Sequence, residues 1–230
     1  MATDDRRPLA AVLWDMDGTV VDTEPYWMAA EHKIADDHGG TWTTEDAMNL
    51  VGNELSVSGR YLKDKLDLPY SVEEVVELLL DGVVEQVRHQ VPWRPGAREL
   101  LLHLRAAGVP CALVTMSYQR FVEPILEHLP EHTFDVVVTG DQVDNGKPHP
   151  EPYLRAAELL GVPIEDCVAI EDSPTGAASG LASGARVLAV PNHVPVPAVP
   201  GLNFRDSLVE VTVADLETLP IRDLDSGTNP

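Results

Sequence analysis

Two aspartates, separated by a single residue, follow a short apolar run near the start of the chain. Asp15 and Asp17 lie directly after residues 9–14, within the sequence DMDGT. Side chains at positions i and i+2 of an extended chain point to the same side, so both carboxylates can face one space. One carboxylate can then attack as a nucleophile while the other transfers a proton. Such a pair alone is a weak signal, because carboxylates in loops are usually solvated.

Polar side chains also follow three later apolar runs. Thr115 follows one run, and Lys147 lies in the loop after the next. Glu171 and Asp172 follow the third. Each has an ordinary alternative, which is a helix N-cap for the threonine, a solvated turn for the lysine and the first turn of a helix for the acids. Their occurrence in order, at successive strand ends, favours one shared site.

The chemistry that these groups could perform is phosphoryl transfer. Carboxylates crowded at one edge are costly unless a cation neutralises them. Hard oxygen ligands without a Cys or His cluster favour Mg²⁺ over Zn²⁺. A phosphoryl group in transfer carries negative charge and needs a metal, an ammonium and hydrogen-bond donors. Mg²⁺, Lys147, the Thr115 hydroxyl and the backbone N–H groups after Asp15 would supply them.

Short apolar runs alternate with helical patterns over most of the chain. The runs are continuous, as in parallel strands that are covered on both faces. Strand–helix–strand repetition predicts an α/β fold with a parallel sheet, whose ligands bind beyond the carboxyl ends of the strands. The predicted strands are 9–14, 111–115, 134–139, 167–170 and 186–190, and the predicted helices are 97–107, 118–129, 152–160 and 174–183.

Residues 25–94 interrupt this alternation and contain no convincing strand. Ser71, with Glu74 three residues later, is typical of a helix N-terminal capping box. Apolar residues then recur at helical spacing as far as Val87, which predicts a helix with a buried face. We therefore predict a helical second domain at 25–94, inserted into an α/β core formed by 1–24 and 95–230.

Composition and charge narrow the possible functions. Hydrophobic residues make up 44% and charged residues 23% of the 230 residues, as in ordinary globular proteins. The 16 Lys and Arg residues against 38 Asp and Glu residues give a net charge of −22, which would repel nucleic acid and anionic lipid. No partner of either kind is expected.

Features of the chain also bear on its compartment. The start has no signal-peptide layout, and no window reaches about 18 apolar residues. Cys111 and Cys167 lie in apolar runs and predict buried, reduced thiols. We expect a cytoplasmic protein and, as a default, a monomer.

The sequence resembles the haloacid dehalogenase superfamily, in the β-phosphoglucomutase-like and sugar-phosphatase branch that has a helical cap after the first strand. The segments DMDGT, LVT, GKPHPEPYL and AIEDSPTGAASGLASGA are similar to the family's four motifs, in its order. The resemblance implies a Rossmann-like, parallel-sheet α/β core with an inserted all-helical cap domain. It also implies that Asp15 is the nucleophile that forms an aspartyl-phosphate. Asp17 would protonate the leaving oxygen and later deprotonate the attacking water.

The resemblance implies roles for other residues as well. Thr115 and Lys147 would bind the transferring phosphoryl group. Mg²⁺ would take a carboxylate oxygen of Asp15, the main-chain carbonyl of Asp17 and Asp172, with Glu171 as a further direct or water-mediated ligand. The cap would close over the site and set the substrate, a small phosphorylated metabolite. The residues expected to shape the substrate site are Gly18, Trp27, Gly52, Asn53, Met116 and Ser117.

Particular residues distinguish a phosphatase from two other activities known in the superfamily. The dehalogenases that name the superfamily attack carbon, need no Mg²⁺ and carry no acid in the role of Asp17. The sugar phosphomutases usually have Val in place of Thr19, a His in place of Trp27 and an Arg after the cap-loop Gly, where this chain has Asn53. The expectation is therefore a phosphatase for a sugar or polyol phosphate, with a phosphomutase as the alternative. A non-catalytic metal- or phosphate-binding regulatory protein is the alternative from another class.

Overall fold

The computed structural model describes residues 8–50 and 55–220 of the chain. Its strands form one six-stranded sheet in the order β3-β2-β1-β4-β5-β6, and each neighbouring pair is parallel. The strands are β1 Ala11–Trp14, β2 Cys111–Val114, β3 Val136–Val138, β4 Cys167–Glu171, β5 Arg186–Ala189 and β6 Leu202–Phe204. This Rossmann-like α/β architecture confirms the predicted fold class.

The inner strands explain why the sequence shows continuous apolar runs. β1, β2, β4 and β5 are buried along their whole length, as expected for parallel strands that are covered on both faces. The edge strand β6 was not predicted. It has only three residues, all half-buried, with Asn203 in the middle, and it therefore lacks an apolar signal.

The register of the central strands brings their carboxyl ends to one level. Trp14 of β1 lies beside Leu113 of β2 and Ile170 of β4. The Asp15 N–H continues this ladder by donating to the Ile170 carbonyl at 3.0 Å. Residues that follow these strands are consequently delivered to the same edge of the sheet.

Four helices form a separate compact unit, which comprises residues 23–92 together with 123–128. They are α1 Glu24–Asp37, α2 Thr44–Met48, α3 Leu55–Leu66 and α4 Val72–His89. The predicted capping box at the start of α4 is confirmed, since the Glu74 N–H donates to Ser71 Oγ at 3.1 Å and the Ser71 N–H donates to Glu74 Oε2 at 2.7 Å. α4 packs against both α1 and α3 through the apolar face that the sequence predicts.

The remaining described residues form the α/β unit. Its helices are α5 Ala97–Ala106, α6 Gln119–Leu126, whose last residues group with the helical unit, α7 Glu151–Leu160, α8 Pro174–Ser183 and α9 Val213–Glu217. α7 packs on β1, β2 and β3, and α8 packs on β4 and β5. Both cysteines are buried free thiols, as expected. No helix among the described residues combines the length and apolar character needed to cross a membrane.

Candidate active site

The carboxyl edge of the sheet gathers the polar residues that follow the apolar runs. Asp15 follows β1, Thr115 follows β2, and Glu171 ends β4. Lys147 reaches the same place from the loop between β3 and α7. Because β1 lies between β2 and β4, one cluster of side chains forms around Asp15.

Lys147 is the cation of this cluster. Its Nζ donates to Asp15 Oδ1 at 2.7 Å, to Glu171 Oε1 at 2.7 Å and to the Val114 carbonyl at 2.9 Å. The side chain is 6% exposed. Burial alone would lower the pKa of the ammonium, but the charges of Asp15 and Glu171 outweigh burial and raise it. The raised pKa favours the charged form of Lys147, and each of its three N–H bonds donates to an acceptor in the cluster.

Glu171 is the most enclosed carboxylate of the cluster. Its Oε1 accepts from Lys147 and from the Tyr153 hydroxyl at 2.6 Å. A Cβ at position 176 would overlap both carboxylate oxygens, so Gly176 in the first turn of α8 leaves the space that Glu171 fills. Burial raises the pKa of the Glu171 carboxyl, and the charge of Lys147 opposes that rise.

Asp172 completes the acidic side of the cluster. Burial, followed by the charges of Asp15 and Glu171, raises the pKa of Asp172 to about 8. A Cβ on Gly18 would overlap the Asp172 carboxylate, and Gly18 has a φ of +86°, in the region that favours glycine. Gly18 thus makes room for an acid that needs a positive neighbour to stay ionised.

These acids fit a divalent cation. Asp15, Glu171 and Asp172 each offer a carboxylate oxygen, and the three oxygens lie within 4.8 Å of one another. Asp15 Oδ2 is buried and accepts no hydrogen bond from any residue that the structure describes. A hard cation such as Mg²⁺ would give this oxygen a partner and offset the repulsion around Asp172. Asp17 was expected to contribute only its main-chain carbonyl, and its carboxylate is engaged elsewhere.

The Asp17 carboxylate is held by two hydroxyl groups. Ser117 Oγ donates to Asp17 Oδ2 at 2.7 Å, and Thr115 Oγ1 donates to the same oxygen at 3.3 Å. The Ser117 N–H in turn donates to Thr115 Oγ1 at 3.0 Å. This arrangement fixes the orientation of one carboxylate, which could transfer a proton beside the Lys147-bound Asp15.

Comparison with known proteins decides the family. The family model for haloacid dehalogenase-like hydrolases matches residues 12–190. The chain belongs to this family. The prediction of a hydrolase from this superfamily is thereby confirmed.

Two of its relatives are similar over most of their length. Hexitol phosphatase A of Escherichia coli K12 is 32% identical, over 87% of this chain and 92% of that protein. The phosphorylated carbohydrates phosphatase of Thermotoga maritima is 33% identical, over 76% of this chain and 82% of that protein. The chain spans only 48% of a third relative, the bifunctional riboflavin kinase/FMN phosphatase of Arabidopsis thaliana, with 31% identity. Among solved structures, CbbY of Rhodobacter sphaeroides in complex with phosphate has a TM-score of 0.78 and 25% identity, covering 91% of this chain and 99% of that one.

The structure also gives the positions of most residues that were expected to shape the substrate site, and their contact with substrate stays a prediction. The Ser117 hydroxyl is hydrogen-bonded to Asp17. Met116 contacts the loop that carries Lys147, since its Sδ accepts from the backbone N–H of Lys147 at 3.3 Å. Trp27 lies half-buried on α1 in the helical unit, and its role in substrate binding stays a prediction. Gly52 and Asn53 lie outside the described residues.

Sequence reasoning missed Tyr153, which is fully buried and bonded to Glu171. Its signal is weak. The residue stands six positions after Lys147, on the face of α7 that packs against the sheet, and an aromatic residue there is as typical of a core as of a site. Only the placed hydroxyl distinguishes the two.

Proposed function

We propose that this member of the family is a Mg²⁺-dependent phosphatase that hydrolyses a small sugar or polyol phosphate through an aspartyl-phosphate. The single observation that carries the proposal is the state of the Asp15 carboxylate. One oxygen is bound by the Lys147 ammonium, and the other is buried without a hydrogen-bond partner among the described residues. The Lys147 contact fixes the orientation of the carboxylate, and the unpartnered oxygen is left for Mg²⁺, so that the Lys147-bound oxygen can attack phosphorus as the nucleophile.

The first half-reaction would use Asp15 and Asp17. An Asp15 oxygen attacks phosphorus, the bond from phosphorus to the ester oxygen breaks, and the electron pair leaves with that oxygen. Asp17 gives the leaving oxygen its proton, which produces the free alcohol. Its two hydroxyl contacts keep the carboxyl group in one orientation while this happens.

The second half-reaction reverses the role of Asp17. As a carboxylate, it takes a proton from water, whose oxygen attacks the phosphorus of the aspartyl-phosphate. The bond to Asp15 breaks, and inorganic phosphate and the free carboxylate result. Lys147 stays charged throughout and offsets negative charge on the phosphoryl oxygens.

Mg²⁺ would be held by Asp15, Asp172 and the Asp17 carbonyl, with Glu171 as a further direct or water-mediated ligand, and it would supply positive charge for the transferring phosphoryl group. The support for this ligand set is chemical. Three carboxylates stand together with one lysine, and burial makes their negative charges costly.

The names of the relatives support a phosphorylated carbohydrate as the substrate class, because two of them are phosphatases of hexitols and of phosphorylated carbohydrates. The preference for hydrolysis over the phosphomutase alternative rests on Thr19, Trp27 and Asn53, which stand where the mutases usually have other residues.

A mutase also needs cations to hold a second phosphate, and the lysines of the described helical unit are engaged within it. Lys63 donates to two backbone carbonyls, Lys65 pairs with Asp46, and Lys33 pairs with Asp37.

A panel assay tests the proposal. Purified protein is incubated with sugar phosphates, polyol phosphates and an aryl phosphate, with Mg²⁺ or with a chelator, and phosphate release is measured. We expect release that depends on Mg²⁺ and is abolished in Asp15→Asn. Asp37→Asn, in an exposed ion pair on α1, is the matched control and should keep full activity.

Three outcomes would contradict the proposal. Phosphate release that survives Asp15→Asn would exclude the nucleophile, and release that persists in the chelator would exclude the metal. Conversion of a sugar 1-phosphate to its 6-phosphate, without phosphate release, would favour the mutase.

A further inference from the structure

Tyr153 lies behind the catalytic cluster and belongs to none of the roles described so far. It sits on α7, is 0% exposed, and its hydroxyl donates to Glu171 Oε1 at 2.6 Å. Its ring centroid lies 5.1 Å from Lys147 Nζ, within the range of a cation–π contact. One side chain therefore contacts both the Glu171 carboxylate and the Lys147 ammonium of the buried ion pair.

The geometry leaves Glu171 little freedom. Gly176 provides the space that its carboxylate fills, Tyr153 and Lys147 occupy Oε1, and Ser173 Oγ lies 3.4 Å from Oε2. A carboxylate held by a rigid aromatic side chain is a fixed point from which a flexible lysine can be aimed. Lysine has four rotatable bonds, and it loses much conformational freedom when it is held in one place.

We propose that Tyr153 is a positioning residue, whose hydroxyl fixes the Glu171 carboxylate and thereby holds the Lys147 ammonium against Asp15. The inference rests on the proposed function for its catalytic consequence. Without the hydroxyl, Glu171 keeps its charge partner but loses one of the two donors that bind Oε1. Lys147 then samples positions in which it no longer contacts Asp15 at 2.7 Å.

The test compares Tyr153→Phe with Tyr61→Phe. Both variants keep the aromatic ring and remove a hydroxyl that donates to a carboxylate. The Tyr61 hydroxyl donates to Asp46 at 3.1 Å in the helical unit. Asp46 in turn pairs with Lys65. The two variants therefore make the same chemical change beside two different lysines.

The direct readout is the NMR spectrum of the lysine side chains in ¹⁵N-lysine-labelled protein without metal or substrate. The chain has only four lysines, and Lys147→Arg assigns the signal of interest. A buried, fully bonded ammonium exchanges its protons slowly and gives a sharp signal. We expect Tyr153→Phe to shift or broaden the Lys147 signal and to leave Lys65 unchanged, and Tyr61→Phe to do the reverse.

The kinetic readout is kcat against KM for the best substrate of the panel. A hydrogen bond to a charged group contributes free energy. If that free energy stabilises the transition state, losing the bond lowers the rate about tenfold or more. We expect Tyr153→Phe to lower kcat about tenfold with KM within about twofold, and Tyr61→Phe to change neither. Gly176→Ala should reproduce the change at Lys147 by displacing Glu171, and it provides a second route if Tyr153→Phe does not fold.

The outcomes separate the inference from the proposed function. A Lys147 signal that is the same in a folded Tyr153→Phe as in the wild type overturns the inference, whatever Gly176→Ala does, and so does an unchanged kcat in that variant. If Tyr153→Phe does not fold, an unchanged Lys147 signal in Gly176→Ala overturns it. If the wild type hydrolyses none of the phosphate esters but the Lys147 signal responds as expected, the proposed function fails and the positioning stands.

Discussion

Replacing Glu31 with Gln should stabilise the protein at pH 8. Glu31 is a buried acid on α1, only 4% exposed, whose Oε2 accepts from Trp42 Nε1 at 3.1 Å. Burial raises the pKa of this carboxyl to about 7, against the hydrogen bond from Trp42, and the charge of Glu24 adds to the rise. Gln keeps the shape and the acceptor for Trp42 but carries no charge to desolvate.

The sign and the magnitude follow from this shift. The folded state holds the proton more tightly than the unfolded state, whose pKa is near 4.5, so Glu31 favours folding below pH 4.5 and loses that contribution as the pH rises through about 7. The rise of this pKa from 4.5 to about 7 corresponds to about 3 kcal/mol. Because solvent near the side chain relieves part of this cost, we expect a gain of about 1–2 kcal/mol for Glu31→Gln at pH 8.

Urea unfolding at pH 5, 6, 7 and 8 would measure the effect as the difference in free energy of unfolding between variant and wild type. The difference should be small at pH 5 and should grow up to about pH 7–8. Glu85→Gln, which changes an exposed acid on α4, is the control and should give a flat difference. If Glu31→Gln is no more stable than the wild type at pH 8, the acid is not desolvated in the way that the structure indicates.

Two predictions concern the active site. Ser117→Ala removes the 2.7 Å donor to Asp17. It should lower kcat about tenfold with little change in KM, because hydrogen bonds to charged groups are worth about 1.5–3 kcal/mol. Ser117→Thr should retain most activity, and a wild-type kcat in the alanine variant would exclude this role of Ser117. Gly18→Ala places a Cβ into the Asp172 carboxylate and should raise the Mg²⁺ concentration for half-maximal activity about tenfold or more. Gly161→Ala has a similar positive φ with open space around it, so it should leave the Mg²⁺ requirement unchanged; equal shifts in both variants would point to backbone strain alone.

Patterns that depend on neighbours in the chain could be predicted from the sequence. The predicted helix 174–183 coincides with α8, because Ser173 supplies the N-cap, Pro174 suits the first turn, and Gly184 adopts the left-handed C-cap conformation. The strand β1 is visible because burial on both faces requires an unbroken apolar run. β6 carries no such requirement, since it lies at the edge of the sheet and is only half-buried.

The gathering of the charged side chains could also be predicted, but their pairing could not. Parallel strands deliver their following residues to one edge, so the sequence predicts that Asp15, Lys147 and Glu171 approach one another. Which donor meets which oxygen depends on rotamers and on the register of three strands. Ser117 illustrates the limit, since the 2.7 Å contact of its hydroxyl with Asp17 was not indicated by the spacing, while its contact with substrate stays a prediction.

The residues without side chains show why a charged motif alone does not define a site. Gly18 and Gly176 each leave the volume that a carboxylate occupies, the first for Asp172 and the second for Glu171. Consider a sequence that kept every acid but carried Ala at these two positions. Its acids would have the same types and spacing, but the added Cβ atoms would force the two carboxylates to lie elsewhere. The space around the acids therefore determines where the carboxylates lie as much as the positions of the acids in the sequence do, and it is the part that spacing along the chain does not reveal.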